Sequence, residues 1–412
     1  MTGLKSCIRK VIPQPIRLAA KEMRVNGTVK KILKEEIEDY SPGKFPWGVN
    51  LIGPIASATG LGQSFRLIER VVEHLNIAYV IYEYTQNTDN HSDVKQYASR
   101  MSRELPYGVN LWHVNPSEFA DAYKRIGKHA FDGHYNIAFW LWELEEFPDE
   151  WVPYIRLLDE IWTPSEFISR SIRKKTDKPV YTIPYCVAAE ADKERYGRGY
   201  FHIPENQFLF LMMYDTQSIQ ERKNPVGVIR AFQKAFSPDR NDVGLVIKVN
   251  SADSIALMSI RKELRGYKNV YLIRENLEKI QVNSLIACVD VFVSLHRAEG
   301  FGLVLAEAML NHIPTIATNW SANTEFMNKE TACMVDCRIV TLEKILPPYK
   351  RGSRWAEPDL EQAAGYMKRL AEDKRYYKKI ADEAYRYVSD VLGMQNISSK
   401  MKIRLQEIRD GR

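Results

Sequence analysis

The feature that most narrows the folds open to this chain is an alternation, met twice, between short apolar runs and amphipathic stretches. GVNLIG (48–53), IAYVIY, YGVNLW, NIAFWLW, EIWTP and VYTIP are runs of strand length rich in β-branched and aromatic residues. Between them lie stretches of helical spacing: 57–75, with Phe65, Ile68, Val72 and Leu75 on one face, then 116–126 and 165–174. After a polar, glycine-containing boundary at 188–205 the pattern restarts with FLFLMMY (208–214), a helix from Pro225 to Phe236, VGLVIKV (243–249), a helix near 254–264, NVYLI (269–273), a helix near 278–287 and VFVSL. Apolar strands separated by helices predict open, mostly parallel sheets. Two such sets predict an α/β protein of two halves, with the cleft between them as the ligand site.

At 412 residues the chain exceeds one ordinary core. No apolar run reaches the roughly 18 residues needed to span a bilayer. Five scattered cysteines without CxxC spacing fit reduced thiols and a cytoplasmic location better than a disulfide frame or a zinc site. The net charge of +6 is concentrated at one end: residues 1–34 carry nine basic side chains and one acid, leaving 49 basic against 51 acidic residues elsewhere. Such a segment either lies on an anionic membrane surface or forms a solvated arm, and Pro13 and Pro15 interrupt any long amphipathic helix in it. No nucleic-acid-binding motif accompanies the charge, so a nucleic-acid partner is not expected.

The chemistry concentrates in DVFVSLHRAEGFGLVLAEAML (290–310). A buried strand, a turn with Gly300 and Gly302 around Phe301, and a helix apolar almost all round lead to Glu307. Positions three and four residues away hold Leu303, Val304, Leu310 and Asn311, so no local ion pair offsets the desolvation of this carboxylate. It must reach a partner elsewhere in the fold or await a ligand with hydroxyls; Glu299 in the turn poses the same question. Arg222 and Lys223 precede a helix that Asn224 would cap and Pro225 begin, a pattern suited to a diphosphate. In the first half, the turn ATGLGQ with Gly60 and Gly62 stands at the end of the first strand, either as an anion-accepting loop or as a plain tight turn. It is not GxGxxG, and although Glu83 is near the second strand's end there is no clear ribose-binding acid, so an NAD site is not expected. His113 and Glu143 follow apolar runs where a sheet edge would present them to a cleft, although for His113 a hydrogen-bonded histidine at the edge of the core is the better reading.

EGFGLVLAEAM followed by PTIATNWSANTEFM, together with DTQSIQERKNPVGVIRAF, FWLWELEEFPDEW, DEIWTPSEF and WAEPD, resembles the retaining glycosyltransferases of family 4, in the branch that builds bacterial surface polysaccharides. The resemblance implies the GT-B fold. Its two Rossmann-like domains would be an N-terminal acceptor domain (41–195), after a basic segment (1–40), and a C-terminal nucleotide-sugar domain (205–385), with a closing helix (386–412) crossing back to the first. It implies that Glu307 takes the ribose hydroxyls, that Glu299 faces the donor sugar, and that Gly300, Phe301, Gly302 and Leu303 receive sugar and phosphate oxygens through backbone amides. Arg222 and Lys223 would hold the diphosphate in place of a metal ion, and Gly60 and Gly62 would cover it from the first domain. No cofactor beyond the nucleotide-sugar co-substrate is implied, and the acceptor would be a glycan, lipid-linked in this branch.

Three departures stand out. Tyr214 and Asp215 replace a Gly-Arg pair, Trp142 and Glu143 stand where a histidine often ends the strand, and Ser321 and Ala322 replace glycine. His113 or Glu143 would then orient sugar or acceptor. Competing functions of the same fold are a nucleotide-sugar epimerase and a non-catalytic binding subunit of a polysaccharide assembly.

Overall fold

The computed structural model describes residues 25–85, 94–215, 218–250, 254–264 and 266–411. The basic stretch at 4–24 lies outside the described residues. Strands Val49–Gly53 (β1), Tyr79–Glu83 (β2), Val109–Trp112 (β3), Tyr135–Phe139 (β4), Glu160–Thr163 (β5) and Val180–Thr182 (β6) form one sheet in the order β2-β1-β3-β4-β5-β6. Strands Phe208–Asp215 (β7), Val243–Asn250 (β8), Val270–Ile273 (β9), Val291–Ser294 (β10), Thr315–Thr318 (β11) and Cys333–Val335 (β12) form a second, in the order β12-β11-β10-β7-β8-β9. Every pairing within both sheets is parallel. In each the strand order reverses direction once, between β1 and β3 and between β7 and β10, and these reversals open the crevices where such sheets bind ligands.

The crossover helices are Gly60–His74 (α1), Pro116–Ile126 (α2), Glu166–Arg173 (α3), the single turn Gln220–Lys223 (α4), Pro225–Ala235 (α5), Ser254–Glu263 (α6), Lys279–Cys288 (α7) and Leu303–Leu310 (α8). Leu360–Glu372 (α9), Lys374–Val391 (α10) and Met394–Arg409 (α11) close the chain. The strands follow the apolar runs, with β1 and β3 to β5 buried almost throughout. One pairing lies outside both sheets and outside the alternation of apolar runs: Cys337–Thr341 (β13) and Arg354–Pro358 (β14) pair antiparallel as a separate hairpin. Its strands are joined by the long excursion 342–353 rather than by a short turn, so no hairpin signal marks it in the sequence.

The two domains are joined by specific contacts. Glu325, in the second domain, accepts from the backbone amides of Glu166 and Phe167, both at 2.8 Å, and so places a carboxylate at the amino terminus of α3 in the first domain. A column of rings runs across the boundary: His113, Phe139, Tyr185 and Phe301 follow one another at centroid separations of 5.3, 5.4 and 5.0 Å. The last helix, α11, packs on the first domain. There Arg404 donates to Glu160 Oε2 from Nε (2.9 Å) and Nη2 (2.6 Å). Tyr135 Oη also donates to Oε2 (2.9 Å), and Trp162 Nε1 to Oε1 (2.5 Å).

Glu160 is fully buried and Arg404 nearly so, so removing one partner strands the other charge in the core. Glu160→Ala is expected to cost about 3–5 kcal/mol, read as a fall in the urea midpoint, whereas Glu407→Ala, at the exposed end of the same network, is expected to cost less than about 1 kcal/mol by the same measurement.

Candidate functional site

The reversal point of the second sheet brings two distant loops together. The chain leaves β7 through α4 and leaves β10 through the turn at 295–302, so Arg222, Lys223 and Glu299 meet although 76 residues separate Lys223 from Glu299. Asn224 ties the loops: in a left-handed conformation it ends α4, its side chain caps α5 by accepting from Gly227 N (3.2 Å), and its Nδ2 donates to Leu295 O (2.9 Å). The expected cap and the Pro225 start are both present.

Around Glu299 lies a cluster of alternating charge. Lys223 Nζ donates to Glu299 Oε2 at 2.5 Å, and Arg222 Nη1 lies 3.6 Å from the same oxygen while donating to Ala298 O at 3.0 Å. From the first domain, Glu143 Oε1 approaches Arg222 Nη2 to 3.7 Å. Burial alone would raise the Glu299 pKa, but Lys223 and then Arg222 overcome it and hold the carboxyl down at about 2. Burial likewise opposes the Arg222 charge, and Glu143 foremost reverses that. The two cations are therefore already balanced by carboxylates.

The turn itself is set by steric contact. A side chain on Gly300 would start 2.8 Å from the carbonyl oxygen of Trp142 in the first domain, so only glycine allows this approach, and Ser165 Oγ donates to Gly300 O at 3.0 Å. Gly302, at φ +99°, turns the chain into α8. Opposite, Ser321 adopts φ 73°, rare for a residue with a side chain, and its Oγ accepts from Glu299 N at 2.9 Å. The Ser321 side chain thus supplies a hydrogen bond that orients the turn.

Glu307, on α8, is 1% exposed. The partner not found in its own helix is Lys279, first residue of α7, whose Nζ lies 2.5 Å from Oε1. The ion pair engages Oε1, while Oε2 is buried with no hydrogen-bond partner among the described residues and has room for a further donor. Burial outweighs Lys279 and raises the Glu307 pKa. Glu307, Lys279 and Leu303 form part of one wall of a cleft of about 1300 Å³, and Thr59, Gly60 and Arg66 form part of the other. Asp215 and Asn250 also line it, and beside them the buried Lys248 donates to Val249 O (3.1 Å) and Asn250 Oδ1 (2.5 Å). Burial pulls the Lys248 pKa down to about 8 against Asp215 and Glu275.

Several expected residues stand elsewhere. Gly60 and Gly62 are not in a free turn: they open α1, capped by Thr59. Gly60 borders the cleft, whereas Gly62 is buried with its Cβ position 2.0 Å from Ser57 O. His113 is fully buried, stacked on Phe139, with Nε2 3.1 Å from Ser64 Oγ and a pKa lowered by burial to about 3. It is a core histidine outside the cleft lining. The Phe301 side chain packs on Tyr185 and Phe326 and does not face the cleft. Arg222, Lys223 and Glu299 sit together but are not among the cleft's lining residues. Lys279 and Tyr349, which donates to Glu143 Oε2 at 3.3 Å, are unforeseen. The only sequence trace of Lys279 is its place at the start of a helix.

The family described as glycosyl transferases group 1 matches residues 201–387. No curated protein matches the chain in sequence. Among solved structures, sucrose-phosphate synthase from Thermosynechococcus elongatus is similar over 89% of this chain and 100% of its own, at 12% identity and TM-score 0.66. Anabaena HepE in complex with UDP and glucose is similar over 88% and 100%, at 11% identity and TM-score 0.62. A glycosyltransferase from Rickettsia africae is similar over 88% and 98%, at 13% identity and TM-score 0.61. At these identities the likeness is one of fold, and the fold is GT-B.

A buried carboxylate with a raised pKa costs stability when ionised. Glu307→Gln is expected to raise the Tm by about 2–4 °C at neutral pH. The native pKa exceeds the unfolded one, so the wild type gains stability as the pH falls through the raised value, and the difference between the two proteins closes there. Calorimetric scans from pH 8 to pH 4 check both the sign and the convergence.

Proposed function

We propose that this chain, a GT-B glycosyltransferase whose residues 201–387 are a glycosyl transferases group 1 domain, moves a hexose or deoxyhexose from a nucleoside-diphosphate sugar to a glycan acceptor with retention at the anomeric carbon. The observation that carries this reading is Glu307, a carboxylate at a two-walled cleft that is buried with Lys279 on Oε1 and no donor on Oε2. A ribose diol supplies O–H donors of the kind that oxygen lacks. Anabaena HepE holds UDP and UDP-glucose in its solved complexes, which makes a uridine donor the first to test.

Glu299, kept ionised by its two cations, is suited to accept from hydroxyls of the donor sugar. Arg222 and Lys223 supply positive charge where the leaving diphosphate gathers negative charge, which is the term that lowers the barrier for departure without a metal ion. The amino terminus of α8 and its first amides add to that field. With no side chain assigned as nucleophile, the acceptor attacks on the face the diphosphate leaves, through an oxocarbenium-like state, and the departing phosphate takes the acceptor proton. The acceptor is a glycan, lipid-linked in this proposal, and the basic amino-terminal segment would hold the enzyme at the inner face of an anionic membrane.

A thermal-shift panel of UDP, GDP and dTDP sugars tests the donor, since a ligand of the folded state raises the Tm. Glu307→Ala is expected to weaken binding by about tenfold or more, and Glu299→Ala to lower turnover by about a hundredfold. Conversion of the donor without acceptor would point instead to an epimerase, and near-normal transfer by both variants would remove the site assignment.

A further inference from the structure

The excursion 342–353 between β13 and β14 carries one residue out of the second domain and into the first. Tyr349 is 2% exposed, its ring set edge-on to Trp142 (5.6 Å) and Trp355 (6.2 Å). A buried phenol requires an acceptor. The one it finds lies 206 residues earlier in the chain: Oη donates to Glu143 Oε2 at 3.3 Å. The other oxygen of that carboxylate faces Arg222 Nη2 at 3.7 Å.

Arg222 is thereby held between two carboxylates, one from each domain, with its Nη1 also on Ala298 O. The excursion is fastened at its rim by Lys350 to Glu150 (2.6 Å) and Arg354 to Glu145 (2.8 Å), and at its base by Arg297 to Glu357 (2.7 Å). The two rim pairs are largely exposed and add little stability. Burial and direction belong to Tyr349.

We propose that Tyr349 is a positioning residue: its hydroxyl holds Glu143 against Arg222 across the domain boundary and so keeps the guanidinium aimed at the terminal phosphate of the leaving nucleotide. The hairpin then does more than pack. It makes the orientation of the phosphate-binding cation depend on the two domains being seated on each other. This rests on the donor site proposed above. Tyr349→Phe keeps the ring and its packing and removes only the donor, while the charges of Glu143 and Arg222 remain.

The test is calorimetric titration of the full chain with UDP, GDP and dTDP and with the matching monophosphates. For the diphosphate that the wild type binds, Tyr349→Phe is expected to weaken affinity about five- to tenfold, the size of one ordinary hydrogen bond. The monophosphate affinity is expected to stay within about twofold. A purely structural role would lower the Tm and shift both affinities alike, or shift neither, and either result overturns the inference. In a Glu143→Ala background the effect of Tyr349→Phe must vanish; an additive double variant also overturns it. Glu143→Gln, at a partly exposed side chain, must by itself change the ratio of diphosphate to monophosphate affinity, so the proposal stays exposed to refutation should Tyr349→Phe fail to fold. If the wild type binds none of the diphosphates, the donor reading fails and takes this inference with it, an outcome distinct from normal binding by Tyr349→Phe.

Discussion

Gly300 lies so close to the carbonyl of Trp142 that no side chain can stand between them, and most of the site's geometry follows from that contact. It is a meeting of backbone with backbone across the domain boundary, so it cannot be adjusted by changing a rotamer. The turn it fixes sets the direction of α8, and with it the places of Glu299 just before the helix and Glu307 within it. On the far side Ser321 holds the Glu299 amide from a backbone conformation that a side chain rarely adopts. The aromatic column ending in Phe301 fills the space beneath. Domain placement and site geometry are therefore one quantity in this protein.

The two glutamates show how partners, rather than burial, decide the charge of an acid. Both are strongly desolvated. Glu299 has Lys223 and Arg222 beside it and is driven to low pKa; Glu307 has one half-exposed lysine and is driven upward. Carboxyl groups pushed apart in this way are a mark of functional sites. Structural ion pairs such as Arg404 with Glu160 lie on the opposite side of the first domain's design: every oxygen there has a donor, and nothing is left for a ligand.

Strand runs and helix faces were legible because each element had to bury an apolar stripe, and periodicity records that directly. Glu307 was legible for the inverse reason, as a charge where the pattern demanded none. Its partner was not, because Lys279 reaches it only through the packing of α7 on α8 and looks like any lysine at a helix start. Tyr349 was hidden more thoroughly, on an excursion whose pairing partner in the first domain is 206 residues away. His113 shows the limit from the other side. A polar residue after an apolar run reads alike whether it faces a cleft or, as here, slides under α1 to meet Ser64.

The return of α11 to the first domain has a consequence for the order in which the protein is made. The guanidinium that balances Glu160 is 244 residues downstream, and at roughly 5–20 residues per second a ribosome delivers it tens of seconds after the strand that needs it. Through that interval the first sheet holds at its heart a carboxyl group that Tyr135 and Trp162 can meet with hydrogen bonds but that has no cation beside it. The domain synthesised first is thus among the last parts of the molecule to be sealed, and whatever attends the nascent chain meets it unfinished.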